Sequence, residues 1–114
     1  MIRTKRIYEP ADDDDGFRVL IDRMWPRGVS KADGRIDEWL QEVAPSASLR
    51  KWFKHDPAKW VQFKQRYWTE LADQAEAIAL LDEMRRTKGV TLLYAARDEE
   101  HNNAVALREY LERR

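Results

Sequence analysis

Apolar and polar positions repeat with two different periods along the chain, and the switches between them mark its elements. Residues 2–8 mix Ile, Thr and Tyr with basic side chains and predict a first strand, suited to a sheet edge. Over 17–22, Phe17, Val19 and Ile21 share one face by the two-residue repeat, and Leu20 adds apolar surface to the other. Residues 90–96 (Val-Thr-Leu-Leu-Tyr-Ala-Ala) are apolar on both faces, as a central strand covered from both sides requires. Elsewhere the period lengthens. Ile36, Trp39, Leu40 and Val43 stand at helical spacing and predict a short helix over 36–44. Ser46 or Ser48 can cap a helix that carries Leu49, Trp52 and Phe53 and stops near His55. Asp56-Pro57 restarts the chain as N-cap and first helical residue, and Trp60, Phe63, Tyr67 and Leu71 follow as an amphipathic stripe. Two further helices are predicted over 74–87, ended by Gly89, and over 100–112, with Asp98 as a candidate cap and Ala104, Leu107 and Leu111 turned inward. Residues 23–35, which hold Pro26, Gly28 and Gly34, read as a loop.

Strands near both ends with helices between them predict a small layered α/β fold, a mostly parallel sheet with helices packed on it. A chain of 114 residues without linker or repeat predicts one domain, 1–114. Asp12 to Asp15 followed by Gly16 reads as a solvated turn between the first two strands. With 43% hydrophobic residues a core is feasible, and with 37% charged residues many charges must coat it. The longest uncharged apolar run, 90–96, is far short of the roughly 18 residues of a membrane span. The N-terminus lacks the apolar stretch of a secretory signal, so a soluble cytoplasmic domain is expected. The absence of cysteine excludes disulfides, thiolate metal centres and a thiol nucleophile. The two histidines, His55 and His101, have no metal-ligand spacing, and no metal or cofactor is expected.

Candidate chemistry gathers where strands end, because open α/β sheets bind ligands beyond the carboxyl ends of their strands. After the second strand comes Asp22-Arg23-Met24-Trp25-Pro26-Arg27-Gly28-Val29-Ser30-Lys31. Arg23, Arg27 and Lys31 suit a phosphate or carboxylate, Ser30 offers a hydroxyl, and Trp25 offers a face for stacking. A purely structural alternative pairs the arginines with acidic neighbours and uses Trp25 as a core plug. The stretch is not a GxxxxGK[ST] loop, so a Walker-type nucleotide site is unsupported. After the last strand, Asn103 falls about 40° from Leu107 on a helical wheel and faces inward, where its amide needs a partner from a loop or a ligand. Asn102 lies beside it. Lys64 projects roughly 40° from Trp60, inside the apolar arc. It either lays its stem along the core or reaches a polar pocket holding a carboxylate or anion. Residues 50–68 hold six Lys/Arg and one Asp among aromatics, a composition that suits single-stranded nucleic acid, although Trp60, Phe63 and Tyr67 also form the core stripe.

The motifs together resemble a known family. Arg6-Ile-Tyr-Glu-Pro10, Arg18-Val-Leu-Ile-Asp-Arg-Met-Trp-Pro-Arg-Gly28 with Ser30-Lys31, Trp39, Ala44-Pro-Ser46, Leu49-Arg-Lys-Trp-Phe53, His55-Asp56, Val90 to Ala96 and Asn102-Asn-Ala104 are similar to the YeaO-like proteins. These small bacterial proteins belong to domain-of-unknown-function family 488. The resemblance runs through nearly the whole chain and implies an α/β fold and a cytoplasmic bacterial setting. It places family motifs on Asp22, Arg23, Trp25, Arg27, Ser30, Lys31, His55, Asn102 and Asn103. More distant relatives carry cysteines near the last strand–helix junction, whereas Tyr94 and His101-Asn102-Asn103 occupy that region here.

The leading functional reading is a cleft for a small anionic ligand, phosphorylated or nucleotide-like, held by Arg23, Arg27, Ser30, Lys31 and Lys64. Trp25 would stack on it and Asn102 or Asn103 would orient it. In an enzymatic version Asp22 or His55 would serve as general acid or base. The competing readings are a nucleic-acid-binding or regulatory protein using residues 50–68, and a protein-interaction module. The formal net charge of zero, 21 basic against 21 acidic residues, does not exclude an anionic partner. It arises from blocks of opposite sign, since 50–68 is basic, 69–84 acidic and 9–15 acidic.

Overall fold

The computed structural model describes residues 1–114. Four strands, β1 (Ile2–Arg6), β2 (Phe17–Leu20), β3 (Glu38–Trp39) and β4 (Val90–Tyr94), form one parallel sheet in the order β1-β4-β2-β3. Five helices accompany it: α1 (Lys31–Gly34), α2 (Ala47–Phe53), α3 (Trp60–Leu71), α4 (Ala75–Thr87) and α5 (Asn103–Glu112). The α/β reading therefore holds. The run at 90–94 is the central strand, buried throughout, and β1 lies at an edge.

The pleat of the sheet sorts its side chains into two cores. Val19, Ile21, Leu92 and Tyr94 face the larger one, which α2 to α5 complete with Leu49, Phe63, Tyr67, Leu81 and Leu107. Leu20 and Leu93 face the smaller one, closed by Ile7 and Ile36 with Trp25, Val29 and Trp39 packed against them. Each fully buried aliphatic side chain contributes about 1.5–3 kcal/mol, so the larger core dominates stability.

Local chemistry fixes the element ends. Ser46 Oγ accepts the Leu49 amide at the start of α2, and Asp56 accepts the Ala58 amide in a 3-10 turn, Pro57–Lys59, that leads into α3. Gly16, with φ of 67°, opens β2 so close to the turn before β4 that a β-carbon there would sit 2.4 Å from the Gly89 carbonyl oxygen. The acidic run at 12–15 is more than a solvated turn. Asp12 caps a 3-10 turn at 13–15, and Asp15 is buried, its carboxylate meeting Arg18 at 2.5 Å and Lys5 at 3.0 Å. Arg18, itself buried, also donates to the carbonyls of Gly34 and Arg35.

Three further expectations are corrected. Residues 23–35 are not loop throughout, because Ser30 caps the single turn of α1 at Lys31–Gly34. Residues 36–44 do not form a helix; they supply the two-residue β3 and a 3-10 turn at Gln41–Val43. Their helical spacing arises because the segment crosses the sheet edge: Ile36 and Trp39 enter the smaller core, and Leu40 and Val43 the larger. The last helix starts later than expected, at Asn103, and its cap is Asn102, whose Oδ1 accepts the Val105 amide at 3.0 Å. Asp98 instead closes the preceding turn by accepting the amides of Glu100 and His101.

Candidate functional site

β2 and β4 are adjacent and parallel, so their carboxyl ends lie side by side. The chain leaving β2 turns toward the smaller core through Trp25 and Val29, while the chain leaving β4 turns toward the larger core and enters α5. Loops that depart to opposite faces leave a crevice between them, the usual ligand position in open α/β sheets. Here the crevice is a cleft of about 580 Å³, closed on its third side by Pro45 and α2.

Its floor is a clasp built on Asp22. One carboxylate oxygen accepts the Ala95 amide at 2.9 Å, and the other accepts Asn103 Nδ2, also at 2.9 Å. The same Asn103 amide donates to the Ile21 carbonyl at 3.1 Å. Thus Asn103 does face inward, as its wheel position predicts, and it ties α5 to both strand ends. Burial raises the Asp22 pKa above the ordinary carboxylate value, against the Asn103 and Ala95 hydrogen bonds and the charges of Arg50 and His55. Asn102 is buried beside it, with its Nδ2 donating to the Asp98 carbonyl and its Oδ1 capping α5.

The walls carry aromatic surface. Trp25 is half-buried, anchored by an Nε1–H donation to the Val29 carbonyl (2.6 Å) and set edge-on to Trp39, with ring centroids 5.1 Å apart. Tyr8 donates its hydroxyl to the Arg27 carbonyl at 3.2 Å. Arg6, outside the cleft itself, donates to the carbonyls of Ala95 and Ala96, which line it. Sequence patterning alone did not bring Tyr8 or Arg6 to this place.

The rim is cationic. Arg23, Arg27, Arg50 and Lys51 all line the cleft, and Asp22 is its single acidic residue. None of the four cations forms an ion pair within the protein. Arg23 donates only to the Pro45 carbonyl, at 3.2 and 3.3 Å. His55 completes the rim. It and Lys54 occupy the left-handed region, with φ of 54° and 49°, a conformation that costs on the order of 1 kcal/mol for each such residue.

Three of the candidate ligand residues lie elsewhere. Lys64 does not enter the cleft: its Nζ meets Glu109 at 2.9 Å and lies over the rings of Trp60 and Trp68. Of its two alternatives, the partner carboxylate is the one realised, with Glu109 in that place and the ammonium lying over indole rings. Ser30 caps α1 by accepting the Asp33 amide, and Lys31 is the exposed first residue of that helix; neither lines the cleft. The basic aromatic stretch 50–68 divides in two. Arg50, Lys51 and His55 face the cleft, whereas Arg66 stacks on Trp52 at 4.1 Å and Arg113 on Trp68 at 4.9 Å. Those indole faces are already covered. No group of three or more His, Cys, Asp or Glu side chains is placed to hold a metal ion, and no helix is long and apolar enough to cross a membrane.

A parallel α/β domain with an acceptor floor and a cationic rim at its strand ends is the class that the geometry defines. The chain belongs to the family described as the inactive DUF488-N3 subclade, which it matches over residues 1–114. It is 39% identical to the uncharacterized protein YeaO of Escherichia coli over 110 residues, 96% of each chain. It is 42% identical to the uncharacterized protein Rv3073c of Mycobacterium tuberculosis over 96% of this chain and 92% of that one. No solved structure gives a significant match.

Proposed function

We propose that this protein binds a small anionic ligand, phosphorylated or nucleotide-like, in the cleft at the ends of β2 and β4. The observation that carries this reading is the convergence of Arg23, Arg27, Arg50 and Lys51, none ion-paired, on a concavity with one carboxylate. Cations around the mouth of a cleft focus a positive potential into it, and an anion is drawn to that potential. Guanidinium forks suit phosphate oxygens, and the volume lies in the range of small-molecule sites. The chain's membership of a subclade described as inactive favours binding over turnover. Asp22 and His55 then act on the ligand as a hydrogen-bond acceptor and a rim contact, rather than as general acid and base.

Thermal-shift and calorimetric screening with inorganic phosphate and phosphorylated metabolites tests this directly. Wild-type protein should be stabilised by at least one such anion, with binding weakening as salt rises. The Arg50→Ala/Lys51→Ala variant should lose most of that stabilisation. Equal stabilisation of the two proteins, or none by any anion, counts against the cleft.

A further inference from the structure

The cleft has two chemically opposite ends. On its floor the unused side-chain capacity of Asp22 and Asn103 is that of acceptors. The Asp22 carboxylate has about four lone-pair sites, and the protein occupies two of them through Ala95 and Asn103. Asn103 uses its Nδ2 group on Ile21 and Asp22, and no donor reaches its Oδ1. At the rim, Arg27, Arg50 and Lys51 are exposed donors, without carboxylate partners. A bare oxyanion would satisfy the rim alone and would be repelled by the carboxylate at the floor. It would also leave most of the roughly 580 Å³ unfilled.

We infer that the ligand is a phosphate monoester of a polyhydroxylated skeleton, with its hydroxyl donors at Asp22 and Asn103 and its phosphate at Arg27, Arg50 and Lys51. The inference rests on the anion-binding reading and deepens it by fixing both the class of ligand and its direction in the site. Asp22 sets that direction, because a carboxylate accepts from hydroxyls and repels a phosphate. Sugar phosphates and ribonucleotides share this chemistry. They differ in whether an aromatic base is present to lie against Trp25. The raised pKa of Asp22 is consistent with this role, since burial leaves its charged form under-solvated and hydroxyl donors restore that solvation.

Calorimetry on the full chain at neutral pH separates the possibilities with a ladder of probes: inorganic phosphate, methyl phosphate, ribose 5-phosphate, glucose 6-phosphate and AMP. Hydrogen bonds to a charged acceptor imply that at least one of the last three binds about tenfold or more tighter than methyl phosphate. AMP as the tightest probe assigns the ligand to the ribonucleotides; a sugar phosphate as the tightest assigns it to that class. Asp22→Asn should drive the ratio of the best probe to methyl phosphate toward one. Should that variant not fold, the wild-type ladder decides alone. If methyl phosphate and inorganic phosphate bind as tightly as the hydroxylated probes, the cleft reads charge only and the inference is overturned, with anion binding intact. If no phosphate binds, or the Arg50→Ala/Lys51→Ala variant binds equally well, the anion reading falls and the inference with it.

Discussion

Asp15 and Asp22 stand at opposite ends of β2, and the same side chain is handled there in two ways. At the amino end, Asp15 is touched by cations, with Arg18 at 2.5 Å, Lys5 at 3.0 Å and Arg3 at 3.7 Å. Burial works against its charge, but the Asp12 backbone hydrogen bond with Lys5 and Arg18 outweighs that effect and holds its pKa below the ordinary value. At the carboxyl end, Asp22 is touched only by neutral donors while the basic residues stand around the rim, and burial raises its pKa. Charge is closed internally at one end of the strand and left open at the other. The closed end anchors the strand; the open end has capacity for something outside the protein.

The largest test of this contrast is Arg18→Ala. Removing one partner of a buried pair leaves the other uncompensated, and a loss of about 3–5 kcal/mol is expected in chemical denaturation. A loss under about 1 kcal/mol would mean that Lys5 and Arg3 suffice and that the amino end is less closed than its geometry says. A smaller and more discriminating effect is the opposite response of the two carboxylates to acid. The folded pKa of Asp15 lies below the unfolded value near 3.8, so its stabilisation is complete above that value and lost as pH falls through the folded one. The folded pKa of Asp22 lies above 3.8, so its ionised form burdens the native state at neutral pH, and that burden lifts as pH falls through the folded value. Stability measured against pH should therefore show wild type losing its advantage over Asp15→Asn below pH 3.8. Relative to Asp22→Asn, wild type should gain stability on acidification toward that value. Differences that move the same way would dissolve the comparison.

Lys64→Met extends the contrast to the helical face. Its ion pair with Glu109 is only part-buried and its indole contacts are at 5.3 and 5.8 Å, so a loss of about 1 kcal/mol is expected. Phosphate affinity should not change; a drop would return Lys64 to the site. The smallest effect is expected at the rim. Arg50→Ala/Lys51→Ala should alter stability by no more than about 0.5 kcal/mol while removing ligand binding. A large destabilisation there would show that these cations serve the fold.

The fold was legible wherever one period ran uninterrupted. Residues 90–96 announced a doubly covered strand, realised over Val90–Tyr94, and Trp60, Phe63, Tyr67 and Leu71 announced one face of α3, because each run meets a single environment. Ile36 to Val43 mimics a helix because it serves two cores in succession, and passage around a sheet edge imitates helical spacing. The site was legible in part. Arg23, Trp25 and Arg27 follow β2 directly, and the angle from Leu107 was enough to turn Asn103 inward. Arg50 and Lys51 were grouped with an aromatic surface instead. Only the docking of Leu49 and Phe53 in the larger core brings α2 to the strand ends. Lys64 was ambiguous for a related reason, since Glu109 sits on a helix distant in sequence.

The Asp22 clasp has a practical consequence for spectroscopy. One of its carboxylate oxygens receives a single main-chain proton, that of Ala95, and the other receives the Asn103 side-chain amide, so two well-separated nitrogen resonances report on one carboxyl group. Any ligand that draws on the Asp22 lone pairs must shift the Ala95 amide proton and slow or hasten its exchange with solvent. A molecule held only at the rim leaves it alone. The Ala95 amide is thus an intrinsic label for whether an added molecule has reached the floor of the cleft.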